Sequence, residues 1–366
     1  MNDELVNDGI INYSGNDNQE ELQAERQECA LRQCSHPQWH SETQLQQGHG
    51  AQIDDWFEYH AQTGMLSMAD GVECAFAIVL CQTATLNSAS CTALKKRQTL
   101  VISSGRVESY VKYKEVIFDL YHAGFDIFIM DHRGQGLSQR SSPNPMHGYI
   151  DDFQQYVDDL LCFVDEVVYQ YCAQPLLLCH SMGSTIGALA ILQRPQQFSK
   201  VVFSAPMFGL RVPLPIWLAH IVMKLGLLTS QLLGRPMYFI GQGDYAPVAF
   251  SQNRLMQSSL RYARFRESQQ QYPETQLGGV TYQWIAAANI ALARLHAQAV
   301  QLTLPVLCLS AQDDGVVDNQ LQQTLVKQMP CAKWEVVDDA RHEILFEKDA
   351  IRNPALTTLV RFLQDK

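Results

Sequence analysis

An α/β fold, a mostly parallel sheet flanked by helices with a helical cap inserted before one of its last strands, is predicted by three features of the sequence. Short apolar runs alternate with stretches of helical period, the pattern of parallel strands joined by crossover helices. The alternation is interrupted by about 90 residues, too many for a bare loop. It then resumes with strand, helix, strand and helix. At 366 residues and 46% hydrophobic, the chain can bury a large core as one domain carrying an insertion.

In order, residues 1–50 are rich in Gln, Asn, Glu and Ser without a clear period, so they are expected to be flexible or only loosely docked. The core is expected over 51–207 and 301–366, and the cap over 208–300. Residues 65–68 and 72–81 flank Ala69, Asp70 and Gly71, which reads as a hairpin with a turn glycine. A strand at 100–102, a helix over 110–122 stopped by Gly124, and a strand at 127–130 follow. Phe153, Tyr156, Val157, Leu160, Leu161, Val164 and Val168 recur at three and four residues, one apolar stripe of a helix that Asp151 or Asp152 is placed to cap. The apolar run 175–178 precedes a helix at 184–192 and a strand at 200–204. After the insertion come a strand at 306–310, a helix at 319–327, a strand at 334–337 and a final helix from about 354 to 362.

The net charge of -11 is unevenly spread. Residues 1–60 hold 12 acidic against 2 basic side chains, whereas 208–300 hold 3 against 8. An acidic tail beside a basic insertion argues against nucleic acid as a partner, and leaves room for a local anion site. No basic segment followed by an apolar stretch opens the chain, so the protein is expected to stay in the cytoplasm. The ten cysteines have no paired spacing and read as free thiols. There is no C-x-x-C, and His342-Glu343 lacks the second histidine of a zincin, so neither a metal nor a cofactor is expected. Residues 212–234 are long and largely apolar, but His220, Lys224 and the Thr229-Ser230-Gln231 run interrupt them. Packing over a pocket is the expected role, with peripheral contact to the cytoplasmic face of a membrane a second use of the same face.

Cys179, His180, Ser181, Met182 and Gly183 lie between the apolar run and the helix that follows it. That order builds a nucleophile elbow, in which a sharp strand-to-helix turn exposes a serine hydroxyl over the free N–H groups of the helix. A serine nucleophile needs a base to take its proton and a carboxylate to orient that base, in chain order Ser, Asp, His. The strand at 306–310 runs into Asp313 and Asp314, and the strand at 334–337 runs into His342. Active sites of open α/β sheets lie outside the carboxyl ends of the strands, so Ser181, Asp314 and His342 are expected to converge there. Asp314 fits the turn better than Asp313, which stays an alternative; Asp318 reads as a helix cap and His180 as packing beside the elbow. The two backbone donors for an oxyanion are expected from Met182 and, in the loop 103–109, from Arg106. The run D-H-R-G-Q-G-L-S at 131–138 lacks the third glycine of a dinucleotide cradle and reads as a tight structural loop.

D-H-R-G-Q-G-x-S, H-S-M-G and the closing A-R-H-E-I-L-F-E-K-D-A, together with G-R-V-E-S-Y-V-K-Y at 105–113, resemble the α/β-hydrolase superfamily of serine hydrolases, from about Gly64 to the end of the chain. The resemblance implies an α/β-hydrolase fold with Ser181 as nucleophile, Asp314 as acid and His342 as base. It departs at Ser104, where many relatives have histidine, and at Cys179, where the elbow usually has glycine. It further implies hydrolysis of the single acyl ester of lysophospholipids to a fatty acid and a glycerophosphodiester. A monoacylglycerol lipase or general carboxylesterase is the nearest alternative, and a lipid-binding protein without catalysis is one of another class. Arg254, Arg261, Arg264 and Arg266 fall in the cap, where a phosphate could meet them.

Overall fold

Among the described residues, eight strands form one sheet in the order β1-β2-β4-β3-β5-β6-β7-β8. The structure, a computed structural model, describes residues 38–81, 97–211 and 215–365. After a short helix Glu42–Gln44, the elements are α1 (Gly50–His60), β1 (Ala61–Ser67), β2 (Glu73–Val79), β3 (Gln98–Ser103), α2 (Lys114–His122), β4 (Phe125–Met130), α3 (Gln154–Glu166), β5 (Leu176–His180), α4 (Met182–Gln193) and β6 (Val201–Ser204). The insertion holds α5 (Ile216–Leu232), α6 (Ser259–Gln271) and α7 (Tyr282–Gln298). The chain then closes with β7 (Val306–Ala311), α8 (Asn319–Val326), β8 (Ala332–Val337) and α9 (Asp349–Gln364).

The β1–β2 hairpin is antiparallel, with Gly71 at φ +83° in its turn, and β2 meets β4 antiparallel. From β4 onward every neighbouring pair is parallel. Parallel strands are covered on both faces, which explains why β5 reads as an unbroken apolar run and why all five of its residues are buried. One face packs against α1, α2 and α9 through residues such as Phe57, Val116, Ile117 and Leu359. The other packs against α3, α4, α7 and α8 through Leu160, Ile186, Ala288 and Leu325. The chain leaves β3 for β4 on one side and reaches β5 on the other. The strand order therefore reverses beside β3 and β5, and a crevice opens at their carboxyl ends.

Four details differ from the sequence expectation. Helix α7, expected inside the cap, is a crossover helix of the core: Trp284, Ala287, Ala288, Ala291 and Leu295 are buried with α3 and α4. A parallel β6-to-β7 connection needs such a helix, so the cap ends before Tyr282 rather than at 300. The helix expected from 110 begins at Lys114, because Tyr110 and Lys112 lie in turns closed by Lys112 N to Ser109 O and Tyr113 N to Tyr110 O, both at 3.0 Å. Helix α9 starts at Asp349, five residues before Pro354, its first turn closed by Arg352 N to Lys348 O at 2.8 Å. The end of the segment expected to be loose is docked: Trp39 Nε1 donates to Thr357 Oγ1 at 2.9 Å, and Ser41 caps the short helix with Gln44 in a capping box. The rest of that segment, residues 1–37, lies outside the described residues.

Candidate active site

Ser181 sits between β5 and α4 with φ +50° and ψ −117°, a backbone that L-residues rarely adopt. The turn is held by Ser181 N donating to Ser204 O at 3.1 Å and by Met207 N donating to Ser181 O at 3.0 Å. It brings α4 so close to β3 that a β-carbon at Gly183 would collide with the carbonyls of Ser103 and Ser104, so only glycine fits there. Cys179 needs no such freedom, because it is a regular strand residue paired with Phe203. Its side chain is accommodated elsewhere, against Gly187 of α4.

The three chemical groups expected to converge do so. His342 Nε2 lies 2.9 Å from Ser181 Oγ, and His342 Nδ1 lies 2.7 Å from Asp314 Oδ2. The other Asp314 oxygen accepts from Val316 N at 2.8 Å and Val317 N at 3.0 Å. Burial pushes the Asp314 carboxyl up, but its hydrogen bond to His342 and the two backbone donors outweigh that and hold it below the usual carboxylate range. Asp313, the alternative acid, is exposed, and Asp318 caps α8 by accepting from Gln320 N and Leu321 N. His180 is buried with Nδ1 3.1 Å from Ser204 O, burial pushes its imidazole down, and its ring packs beside that of His342.

Met182 opens α4, where an N–H has no intrahelical partner. Arg106 lies in the loop after β3, beside Val107 at φ +65°. Among the described residues neither N–H donates to a protein acceptor. The 131–138 run supports this loop from below. Asp131 accepts from Tyr110 N at 2.7 Å and Leu137 N at 2.8 Å, and Gln135 Nε2 donates to Gly105 O at 2.7 Å. Gly136, at φ +57°, leaves the room that the Asp131 carboxylate fills.

A buried ionic cluster that the sequence reading did not single out ties these loops together. Lys112 Nζ lies 2.6 Å from Glu108 Oε1 and 2.5 Å from Glu343 Oε2, the neighbour of His342. Glu108 Oε2 also accepts from Gly105 N at 2.5 Å and from the Tyr113 hydroxyl at 2.7 Å. One cluster thus braces the loop of Arg106 and the loop of His342. Its sequence signal was an oppositely charged pair four residues apart, Glu108 and Lys112, inside an otherwise apolar stretch.

The cap arginines do not form the free cationic set that the sequence suggested. Arg261 is buried among partners: it bonds both Glu115 oxygens, Asp349 at 2.9 Å, and the carbonyls of Glu347 and His40. Arg264 pairs with Asp54 at 3.1 Å, and Arg266 donates to Gln269 and the Tyr262 hydroxyl. Arg261 and Arg264 join α6 to the core and α1, Arg261 from a buried position and Arg264 from a half-buried one. Arg254 is exposed, and its neighbour Leu255 accepts Glu343 N at 2.9 Å, which places it by the His342 loop.

The chain is similar to known hydrolases. Residues 95–349 match the Hydrolase_4 family, described as serine aminopeptidase, S33. The chain is 36% identical over 278 residues to lysophospholipase L2 of Escherichia coli strain K12, covering 72% of this chain and 80% of that protein. It is 32% identical over 269 residues to a probable lysophospholipase L2 of Haemophilus influenzae, covering 73% and 84%. Among solved structures, a soluble variant of monoglyceride lipase from Saccharomyces cerevisiae superposes with TM-score 0.61 at 17% identity, over 83% of this chain and 95% of that one. That likeness bears on the fold, which is of the α/β-hydrolase type.

Proposed function

The chain belongs to the Hydrolase_4 family of serine hydrolases, with lysophospholipases and monoglyceride lipases among its relatives, and from that premise we propose that it cleaves the acyl ester of lysophospholipids. The observation that carries the reading is the unbroken relay from Ser181 through His342 to Asp314, at 2.9 and 2.7 Å. His342 Nε2 takes the Ser181 proton as Oγ attacks the ester carbonyl. The Met182 and Arg106 N–H groups hold the oxyanion, each contributing about 3 kcal/mol to the transition state. The tetrahedral species collapses, the alcohol leaves with the proton from His342, and a fatty acyl group remains on Ser181. Water deprotonated by His342 then attacks the acyl-enzyme and releases the fatty acid. Asp314 orients the imidazole and stabilises it while it is charged.

The preference for a phosphorylated head group rests on the lysophospholipase relatives; a monoacylglycerol would use the same chemistry. Substrate reaches the site from a lipid surface, against which the outward apolar face of α5 docks. No described helix is long and apolar enough to cross a membrane.

The test is fluorophosphonate labelling of the purified protein, alongside turnover of lysophosphatidylethanolamine and monoacylglycerol. Labelling lost in Ser181→Ala, with turnover lost in Ser181→Ala and His342→Ala and the phospholipid preferred, is the expected result. Absence of both labelling and turnover would leave a lipid-binding protein with this fold.

A further inference from the structure

Most of the deeply buried cations in the described structure face carboxylates. Lys112 has Glu108 and Glu343, Arg133 has Asp70 and Asp159, Arg261 has Glu115 and Asp349, and Arg352 has Asp119. Arg106, half-buried, is different. Its Nη1 donates to the carbonyl of Gly278 at 2.9 Å. Among the described residues no carboxylate lies within ion-pairing distance of it.

The space around this guanidinium is made by bare backbone. A β-carbon at Gly148 would lie 3.1 Å from Arg106 Nη1 and 2.9 Å from Gly279 O, so a larger residue there would press on the arginine. Gly148 and Gly279 are themselves joined by Gly148 N to Gly279 O at 2.8 Å. The side chain is thus held in a fixed place between the 131–150 loops and the end of the insertion. Burial pushes its guanidinium down to about 10, which still leaves it charged at neutral pH. A partly buried charge with one neutral acceptor is costly to keep, and an incoming anion would repay much of that cost.

Resting on the lysophospholipase reading above, we infer that the side chain of Arg106 is the head-group site: it takes the phosphodiester of a substrate whose acyl carbonyl is held by the N–H of the same residue. The dimensions suit this. In a lysophospholipid the acyl ester and the phosphate sit on one three-carbon glycerol unit, and the arginine side chain spans three methylenes from the loop to its guanidinium. The guanidinium has N–H groups beyond the one spent on Gly278, and these can meet two phosphate oxygens side by side. A neutral monoacylglycerol has no group to pair with it. The arginine then distinguishes the two ester classes, a task for which Arg261, held in its pairs with Glu115 and Asp349, is not free.

The alternative is a strut, in which Arg106 merely ties the oxyanion loop to the insertion at Gly278. The full chain, Arg106→Gln and Arg106→Lys are compared on lysophosphatidylethanolamine and monoacylglycerol bearing the same acyl chain, with fluorophosphonate labelling to show that Ser181 remains reactive. The expected result is that the ratio of kcat/KM, phospholipid over monoacylglycerol, falls about tenfold or more in Arg106→Gln, the order expected for one lost charge-assisted pair, and less in Arg106→Lys. An unchanged ratio, even with both activities reduced, overturns the inference in favour of the strut. A second arm separates this from the proposed function. Glycerophosphoethanolamine is expected to slow labelling of the wild type, and to do so far less in Arg106→Gln. A wild type that turns over only monoacylglycerol would unseat the lysophospholipase reading, whereas absence of any protection in the wild type would overturn the anion site itself.

Discussion

The sulfur of Cys179 fills the space that a β-carbon at Gly187 would need: the two would stand 2.5 Å apart, with Leu177 Cδ2 at 3.1 Å behind them. The elbow of this chain carries cysteine at the first glycine position of a G-x-S-x-G turn, and Gly187, the sixth residue of α4, supplies the room for it. Alanine at Gly187 would gain about 1 kcal/mol of helix propensity but cost about 1–3 kcal/mol in overpacking against the thiol, so the clash wins. Gly187→Ala is therefore expected to destabilise the protein, and Cys179→Gly in the same chain to relieve most of that loss. Urea unfolding of the two single variants and the double variant measures the coupling, expected at about 1–2 kcal/mol. Additive effects would show that the two residues do not share this space.

Asp314 and Asp313 are adjacent in sequence, yet only Asp314 reaches His342. Removing the charge of the orienting acid while keeping its shape leaves the imidazole free to take the wrong tautomer, a loss of about 10⁴ in kcat in serine hydrolases of this type. Asp314→Asn is expected to show a loss of that order on either ester, and Asp313→Asn a loss below about tenfold, since its side chain is exposed. Comparable losses in both would reassign the acid.

Why the triad was legible and the cap arginines were not follows from how each depends on distance along the chain. Ser181, Asp314 and His342 each follow a recognisable strand, and a parallel sheet collects such loops at one end whatever the separation in sequence. Arg261 is decided by Glu115 and Asp349, and Arg264 by Asp54, partners that lie in other elements and carry no local signal. The role of α7 was readable in principle, since Trp284, Ala287, Ala288, Ala291 and Leu295 form a stripe at helical spacing. It was obscured because alanine marks a close-packed helix less clearly than leucine does. The start of α9 was missed because Pro354 favours a first turn but does not require one.

The cluster under the site makes a prediction about acid. Burial raises the Glu108 carboxyl, but Lys112 and His180 outweigh it and hold the group at about 2, below its ordinary 4.5. A carboxyl lowered by folding contributes stability above its unfolded value and loses it as pH falls towards the folded one. The gap in urea midpoint between wild type and Glu108→Gln is therefore expected to be full above about pH 5 and to narrow between about pH 4.5 and pH 2. A gap constant across that range would mean that Glu108 contributes shape rather than charge.

Helix α5 turns its large side chains outward. Trp217, Ile221, Leu225, Leu228 and Leu232 are all exposed and recur at four, four, three and four residues, one face of the helix. On the opposite face Gly226 lies so close to the Tyr282 ring that a β-carbon would collide with it, Ser230 is buried beside it, and Val222 and Met223 are half-buried. A helix that leaves a whole row of large apolar side chains in water along one face is poorly explained by packing alone. Burial at a lipid surface is worth roughly 0.8 kcal/mol per methylene, so replacing Leu225 and Leu232 by serine is expected to weaken vesicle binding by at least about tenfold. Co-sedimentation with phospholipid vesicles measures the binding. Turnover of vesicle-borne lysophospholipid should fall more than turnover of a short-chain, water-soluble ester, because the chemistry at Ser181 is reached in the second case without the surface. An equal fall on both would show instead that the leucines support the fold of the cap.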